Sequence, residues 1–177
     1  MVNGDDPSKP TPEEWAKVKR EPTSHAAAGA GAAAGAGEAG APISAALLGE
    51  VIDAARAGVP NEACGILVSD RYHGDGGAAL RYVPLRNAAE SPYRYLIDAA
   101  EQLRVWIELD DADEVVWAIV HSHVASPAEP SQTDVGLAYY PDSLYVICSL
   151  ADADRPSVRA WSIVNGAVAE VALVVTQ

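Results

Sequence analysis

The feature that most constrains this chain is an apolar run, Val115 to Val120, that ends directly in the triplet His121-Ser122-His123. Six consecutive apolar residues between polar neighbours are typical of a buried strand. Side chains alternate between the two faces of a strand, so both histidines are expected on one face at its end. The fold must therefore contain a sheet with a buried strand that presents two imidazoles.

Two further polar residues follow at fixed offsets. Seven residues separate Ser131 from His123, and two residues separate Asp134 from Ser131. Two imidazole nitrogens and one carboxylate oxygen form the three-ligand set of many catalytic zinc sites, which leave a fourth position to water. A His-x-His pair alone is more often a surface or hydrogen-bonded pair. The serine and aspartate favour a site for one zinc ion per chain, held by His121, His123 and Asp134.

The full pattern resembles the JAMM motif of the MPN-domain metalloproteases: an upstream glutamate, His-Ser/Thr-His, seven residues, a serine, two residues and an aspartate. The matching glutamate is Glu62, just before the apolar segment Cys64 to Val68. The resemblance implies that Glu62 is the general base and that Ser131 stabilises the oxyanion. From the residues alone, Glu62 also fits a solvated loop acid. Ser131 also fits a helix N-cap, a role expected to compete with catalysis for the hydroxyl.

Beyond the motif, the likeness covers roughly residues 43 to 175 and is greatest to the short bacterial Mec-type enzymes. The resemblance implies a small ubiquitin-like sulfur carrier with a Gly-Gly tail as the partner, and release of cysteine from a carrier–cysteine adduct. In the loop 86–96, Asn87 and Ser91 fit turn chemistry beside Pro92. They also fit the wall of a groove that holds the tail.

Other functions match parts of the pattern. One is a general isopeptidase that removes ubiquitin-like proteins from their conjugates. Another is a non-catalytic MPN binding module, although such modules lack ligands that this chain keeps. The RadC-type proteins associated with DNA repair share the His-x-His and Ser-x-x-Asp elements, but they usually have asparagine where this chain has Ser122.

Charge and composition argue against nucleic acid and membrane as partners. The formal net charge is −13, and residues 43–177 hold 8 arginines and no lysine against 19 acidic residues. Such a domain repels a phosphate backbone, and no apolar run is long enough to span a bilayer. Cys64 and Cys148 lie in apolar segments, which favours reduced, buried thiols in a cytoplasmic protein. A disulfide between them stays open, and no pattern indicates an oligomeric state.

Composition divides the chain at residue 42. Residues 1–42 include an Ala/Gly tract at 26–40 and lack the apolar bulk that offsets ordering entropy, so they are predicted to be a disordered tail. A transient helix is expected near Glu13–Arg20. A signal peptide is disfavoured because the tract has no Leu, Ile, Val or Phe. Residues 43–177 are predicted to form one domain.

Periodicity and turn residues predict a mixed α/β domain, with a mixed sheet and helices packed on its faces. Ser44, Asp98 and Ser131 fit helix N-caps, and Asn165-Gly166 fits a hairpin turn. In the second helix, Leu103, Trp106 and Ile107 are expected on the apolar side, with Val105 as a further candidate. The predicted helices are 45–57, 98–109 and 134–139, and the predicted strands are 63–69, 79–85, 115–121, 143–150, 157–164 and 167–175.

Overall fold

The structure is a computed structural model and describes residues 40–177. The predicted tail up to residue 39 and the helix expected near Glu13–Arg20 lie outside the described residues. Within residues 40–177, no helix has the length and apolar character that a membrane crossing requires.

The described part of the chain contains eight strands and three α-helices. The strands are β1 (Ala41–Ser44), β2 (Cys64–Ser69), β3 (Arg81–Leu85), β4 (Val115–His123), β5 (Leu144–Ser149), β6 (Ser157–Val164), β7 (Ala167–Val171) and β8 (Leu173–Thr176), and the helices are α1 (Ala45–Gly58), α2 (Ala99–Asp111) and α3 (Gln132–Gly136).

Six of the strands form one mixed sheet in the order β3-β2-β4-β5-β6-β7. The β4–β5 pair is parallel and the other four neighbouring pairs are antiparallel. Strand β4 therefore has a partner on each side, and all its residues after Val115 are buried. This arrangement confirms the predicted mixed α/β class.

The remaining two strands form a small parallel sheet, in which Ala41 of β1 pairs with Leu173 of β8. The predicted single strand 167–175 is wrong, because the chain leaves β6 at Ala172, whose carbonyl oxygen accepts a hydrogen bond from the Ala41 N–H at 2.7 Å. The predicted boundary at residue 42 falls inside β1. Ile43 is buried in the core, so the domain includes the whole of β1.

Helices α1 and α2 pack on opposite faces of the six-stranded sheet. Leu47 and Val51 of α1 join the core cluster that contains Val146, whereas Val105 of α2 joins the one that contains Ile147. Neighbouring residues of β5 thus serve different cores, as strand alternation requires.

The apolar side predicted for α2 is partly wrong. Val105 and Leu109 are buried, whereas Leu103 and Ile107 are 64% and 53% exposed. Val105 and Leu109 are spaced i, i+4 and form one stripe toward the sheet, which turns Leu103 and Ile107 toward solvent. Asp98 caps α2 as predicted, since its Oδ1 accepts hydrogen bonds from the N–H groups of Ala100 and Glu101.

Candidate metal centre

The two histidines of β4 project from the α2 side of the sheet. Hydrogen bonding to β2 and β5 holds this end of the strand, where His121 is paired with Cys64 on one side and Ile147 on the other. The Nε2 atoms of His121 and His123 lie 3.2 Å apart. Both rings are buried, so the pair is not a solvated surface feature.

Asp134 reaches the same point from α3. Its Oδ1 lies 3.5 Å from His121 Nε2, and its Oδ2 lies 3.6 Å from His123 Nε2. The Ser131 N–H donates to Asp134 Oδ2 at 2.7 Å, and Ser131 Oγ accepts from the Asp134 N–H at 3.2 Å. This reciprocal capping box fixes the carboxylate at the start of the helix.

The distances among the three groups are close to those in a tetrahedral zinc site. Zinc bonds of about 2.0–2.1 Å to nitrogen and oxygen, at tetrahedral angles, separate neighbouring ligand atoms by about 3.3–3.4 Å. The two Nε2 atoms are 3.2 Å apart, and they lie 3.5 and 3.6 Å from different oxygens of the Asp134 carboxylate. One ligand atom from each residue lies within 4.8 Å of the others. His121, His123 and Asp134 therefore fit such an ion and would hold it.

The protonation of the three groups suits metal binding. His123 Nδ1 lies 2.6 Å from the Pro127 carbonyl oxygen, so Nδ1 carries the proton and Nε2 keeps its lone pair. Burial lowers the pKa of His121, which keeps that ring neutral. Burial acts to raise the pKa of Asp134, but hydrogen bonds with the histidines and Ser131 outweigh it and hold the pKa below the usual value.

A proton competes with a metal ion at His123. Burial acts to lower the pKa of this ring, yet its contacts with Asp134 and the Pro127 carbonyl raise the pKa overall. A ligand histidine must be deprotonated at the atom that binds. Metal affinity is therefore expected to fall as the pH is lowered.

Glu62 lies beside the two histidines, just before β2. Its side chain is only 5% exposed, and burial is the main cause that raises its pKa to about 7. The charges of His123 and Asp134 also act on its carboxyl group, the first lowering and the second raising its pKa. Glu62 is therefore not the solvated loop acid that the sequence alone allowed.

Ser131 is exposed beside the metal ligands. It caps α3 as the sequence predicted, but capping uses a lone pair of Oγ to accept the Asp134 N–H. The hydroxyl hydrogen is not consumed by this bond, since a hydroxyl can accept and donate at once. Capping and donation therefore use different parts of the hydroxyl group, and a competition between capping and catalysis stays a prediction.

A cleft of about 270 Å³ brings Glu62, His123 and Ser131 together. Pro92 and Tyr93 from the loop 86–96 line one part of it. The loop after β4 supplies Ser126, Pro127 and Glu129. Both loops therefore contribute to the cleft beside His123.

Asn87 and Ser91 use their side chains within the loop 86–96. The Asn87 Nδ2 donates to the Glu62 carbonyl oxygen at 2.8 Å and to that of Arg94, while its Oδ1 accepts from two backbone N–H groups. Ser91 Oγ accepts from the Tyr93 N–H. These bonds match the turn chemistry considered for both residues, and contact with substrate stays a prediction.

One residue in contact with a candidate metal ligand was not predicted. The Tyr95 ring stacks on His121 with ring centres 4.3 Å apart, and nothing in the pattern of the loop 86–96 separates Tyr95 from Tyr93. Pro127, whose carbonyl accepts from His123, lies in a loop where backbone directions cannot be derived from residue type.

Both cysteines are free and buried. Burial raises the pKa of Cys64 to about 12 and that of Cys148 to about 11. Thiols with such values stay protonated and unreactive near neutral pH. The disulfide that the sequence left open is absent from the structure.

Comparison with known proteins identifies the class of the fold and the site. Residues 44–164 match the family described as prokaryotic homologs of the JAB domain. A Mycobacterium tuberculosis protein named CysO-cysteine peptidase is 45% identical over 132 residues, which cover 72% of this chain and 86% of that protein. The chain therefore belongs to the prokaryotic JAB-domain family, and it is a peptidase of the JAMM type.

Solved structures agree with this assignment. The solution structure of protein DSY2949 from Desulfitobacterium hafniense has a TM-score of 0.69 and 33% identity, and the match covers 77% of this chain and 92% of that one. The crystal structure of AF2198, a JAB1/MPN domain protein from Archaeoglobus fulgidus, has a TM-score of 0.50 at 18% identity, with 77% and 100% coverage. The second likeness shows the fold alone.

Proposed function

We propose that this chain is a zinc-dependent peptidase that cleaves after the Gly-Gly end of a small ubiquitin-like sulfur carrier and releases cysteine from a carrier–cysteine adduct. The similarity to the mycobacterial CysO-cysteine peptidase supports this substrate. One structural observation carries the chemistry, which is the convergence of His121, His123 and Asp134 within 4.8 Å of one another. Glu62 and Ser131 line the cleft beside them.

The residues of the cleft have separate parts in the hydrolysis. Zinc, when bound, acts as a Lewis acid toward a carbonyl group and lowers the pKa of water from about 15.7 to about 7. Glu62 removes a proton from the attacking water and delivers it to the leaving amine, which a pKa of about 7 allows near neutral pH. The hydroxyl group of the water is added to the glycine carbonyl carbon, and the bond to the cysteine nitrogen breaks.

In the proposed reaction, Ser131 stabilises the transition state. Its hydroxyl hydrogen is available for the glycine carbonyl oxygen as negative charge develops there. A donor of this kind contributes on the order of 3 kcal/mol. The capping box with Asp134 fixes Ser131 relative to the metal ligands, so the donor needs no reorganisation during the reaction.

The shape of the cleft favours an extended tail without side chains. Pro92, Tyr93 and Pro127 line it, and glycine avoids clashes with such walls because it has no side chain. The folded body of the carrier would then bind away from the scissile bond. A short free peptide lacks that binding energy and should be cleaved poorly.

Mass spectrometry of a purified carrier–cysteine adduct incubated with the zinc-loaded enzyme tests this function. We expect loss of one cysteine residue from the carrier, and no loss with the Glu62→Gln variant or with chelator. An intact adduct together with cleavage of unrelated peptides would point to a general peptidase. An intact adduct together with release of isopeptide-linked carrier would point to a deconjugating enzyme.

We also propose a cytoplasmic location. Two free, buried cysteines are the usual state of thiols in a reducing compartment. Fractionation of the producing cells should recover the protein with cytoplasmic markers, and recovery with secreted or membrane markers would contradict this location.

A further inference from the structure

Side chains hold the peptide group between Glu62 and Ala63 at both of its polar atoms. Its carbonyl oxygen accepts a hydrogen bond from Asn87 Nδ2 at 2.8 Å. Its N–H donates to Ser122 Oγ, also at 2.8 Å. Backbone bonds flank this peptide group, since the Glu62 N–H donates to the Ser91 oxygen and the Ser122 N–H donates to the Ala63 oxygen, each at 2.9 Å.

The other contacts of Ser122 and Asn87 do not account for the bonds that both side chains make to this peptide group. Ser122 stands between the two histidines, so alternation along β4 directs its side chain away from theirs. Asn87 is anchored by bonds to the Ala89, Leu96 and Arg94 backbone, which makes it a fixed support for the Glu62 carbonyl group.

A peptide plane fixed at both polar atoms restricts the backbone on each side of it. Glu62 precedes the first ladder residue of β2, Cys64, so strand pairing does not fix its backbone. The direction of its side chain depends on that backbone. Ser122 belongs to the same strand as two metal ligands, and this places the base and the ligands in one rigid unit.

We propose that Asn87 and Ser122 are positioning residues that fix the carboxyl group of Glu62 relative to His121 and His123. This inference rests on the proposed role of Glu62 as general base. A displacement of about 1 Å at such a group costs on the order of 10²-fold in rate. In this role the two residues act through Glu62 and not directly on the reacting atoms.

Three variants separate this role from a general structural one. Asn87→Asp replaces the donor to the Glu62 carbonyl by an acceptor but keeps an oxygen for the Ala89 and Leu96 N–H groups. Ser122→Ala removes the acceptor of the Ala63 N–H. Ser122→Thr keeps that acceptor and serves as the matched control.

Kinetics on the carrier–cysteine adduct distinguish a positioning role from a general structural one. We expect kcat to fall on the order of 10²-fold in Ser122→Ala and Asn87→Asp, with KM changed less than about threefold and zinc content unchanged. Ser122→Thr should recover most of kcat. In a Glu62→Gln background the two substitutions should add no further loss, because groups that act as a unit are not additive.

Amide hydrogen exchange at Ala63 gives a readout that is independent of activity. The Ala63 N–H should be protected in the wild type and in Ser122→Thr, and it should exchange faster in Ser122→Ala. Unchanged exchange in Ser122→Ala would overturn the proposal, as would a full additional loss of kcat in the Glu62→Gln background. A wild-type protein that leaves the adduct intact, with Ala63 protection behaving as expected, would refute the proposed function and leave the positioning contacts standing.

Discussion

The rings of Tyr95 and His121 are stacked, with centres 4.3 Å apart and planes inclined by 19°. A ligand histidine is usually oriented by a hydrogen bond from its second nitrogen. His121 Nδ1 is buried and has no such partner among the described residues. The stacked tyrosine ring therefore restrains the orientation of the His121 ring, and the Pro127 carbonyl restrains that of the His123 ring.

Zinc content tests the ligand set. Protein purified without added metal should contain one zinc per chain. Asp134→Asn should lose it, because the neutral amide is a much poorer zinc ligand than the carboxylate. Elemental analysis measures the content, and Thr133→Ala, an exposed neighbour on α3, is the matched control. Full zinc content in Asp134→Asn would remove Asp134 from the ligand set.

Substitution of Glu62 tests the base. Glu62→Gln keeps the size of the side chain but cannot accept a proton. We expect zinc to be retained and kcat to fall by at least about 10²-fold, the scale of general-base catalysis. Steady-state kinetics on the carrier–cysteine adduct give the value. Near-normal turnover by the zinc-loaded variant would assign the base to another group.

The raised pKa of Glu62 also predicts how the stability of the metal-free protein depends on pH. Its pKa is about 7 in the folded state against an ordinary value of 4.5. Between these values the folded protein keeps a proton that the unfolded chain has lost, so the contribution of Glu62 to stability falls as the pH rises through about 7. The full effect is on the order of 3 kcal/mol.

Urea unfolding in chelator measures this effect. The glutamine side chain of Glu62→Gln does not titrate. The free energy of unfolding of this variant should therefore exceed that of the wild type, and the difference should be larger at pH 8 than at pH 4.5. An equal difference at the two pH values would show that the Glu62 carboxyl is not desolvated in the folded protein.

The small sheet should contribute strongly to stability. Ile43 of β1 is 1% exposed, and its β8 partner Val175 is 54% exposed. Ile43→Ala should lower the free energy of unfolding by about 2–5 kcal/mol, as expected for a truncated core residue. Val175→Ala is the matched control and should change it by less than about 0.5 kcal/mol. Similar losses in both variants would contradict the buried position of Ile43.

The sequence predicted the parts of the fold that have long apolar runs. Strands β2, β4 and β5 lie within two residues of their predicted ends, since such runs have few alternatives to a buried strand. Strand β4 continues through His123, two residues beyond its predicted end, because polar residues at a strand end do not mark where pairing stops. Strand β1 was missed because four residues, Ala41 to Ser44, are too short to show a period.

The orientation of elements was harder to predict than their existence. Leu103 and Ile107 are as apolar as Val105 and Leu109, and only packing against the sheet determines which pair is buried. In the site, the spacing of His121, His123 and Asp134 follows from strand alternation and the capping box. The ring of Tyr95 and the amide of Asn87 depend on the path of the loop 86–96, which no local pattern determines.

The parallel pairing of β1 with β8 has a consequence during synthesis. Ala41 pairs with Leu173, which is made 132 residues later. At about 5–20 residues per second, the ribosome takes between about 7 and 26 s to reach β8 after β1 has been made. For that interval the backbone groups of β1 that pair with β8 have no partner strand. The β1–β8 pairing is thus completed late in synthesis, and chaperones that bind unpaired segments have that time to act.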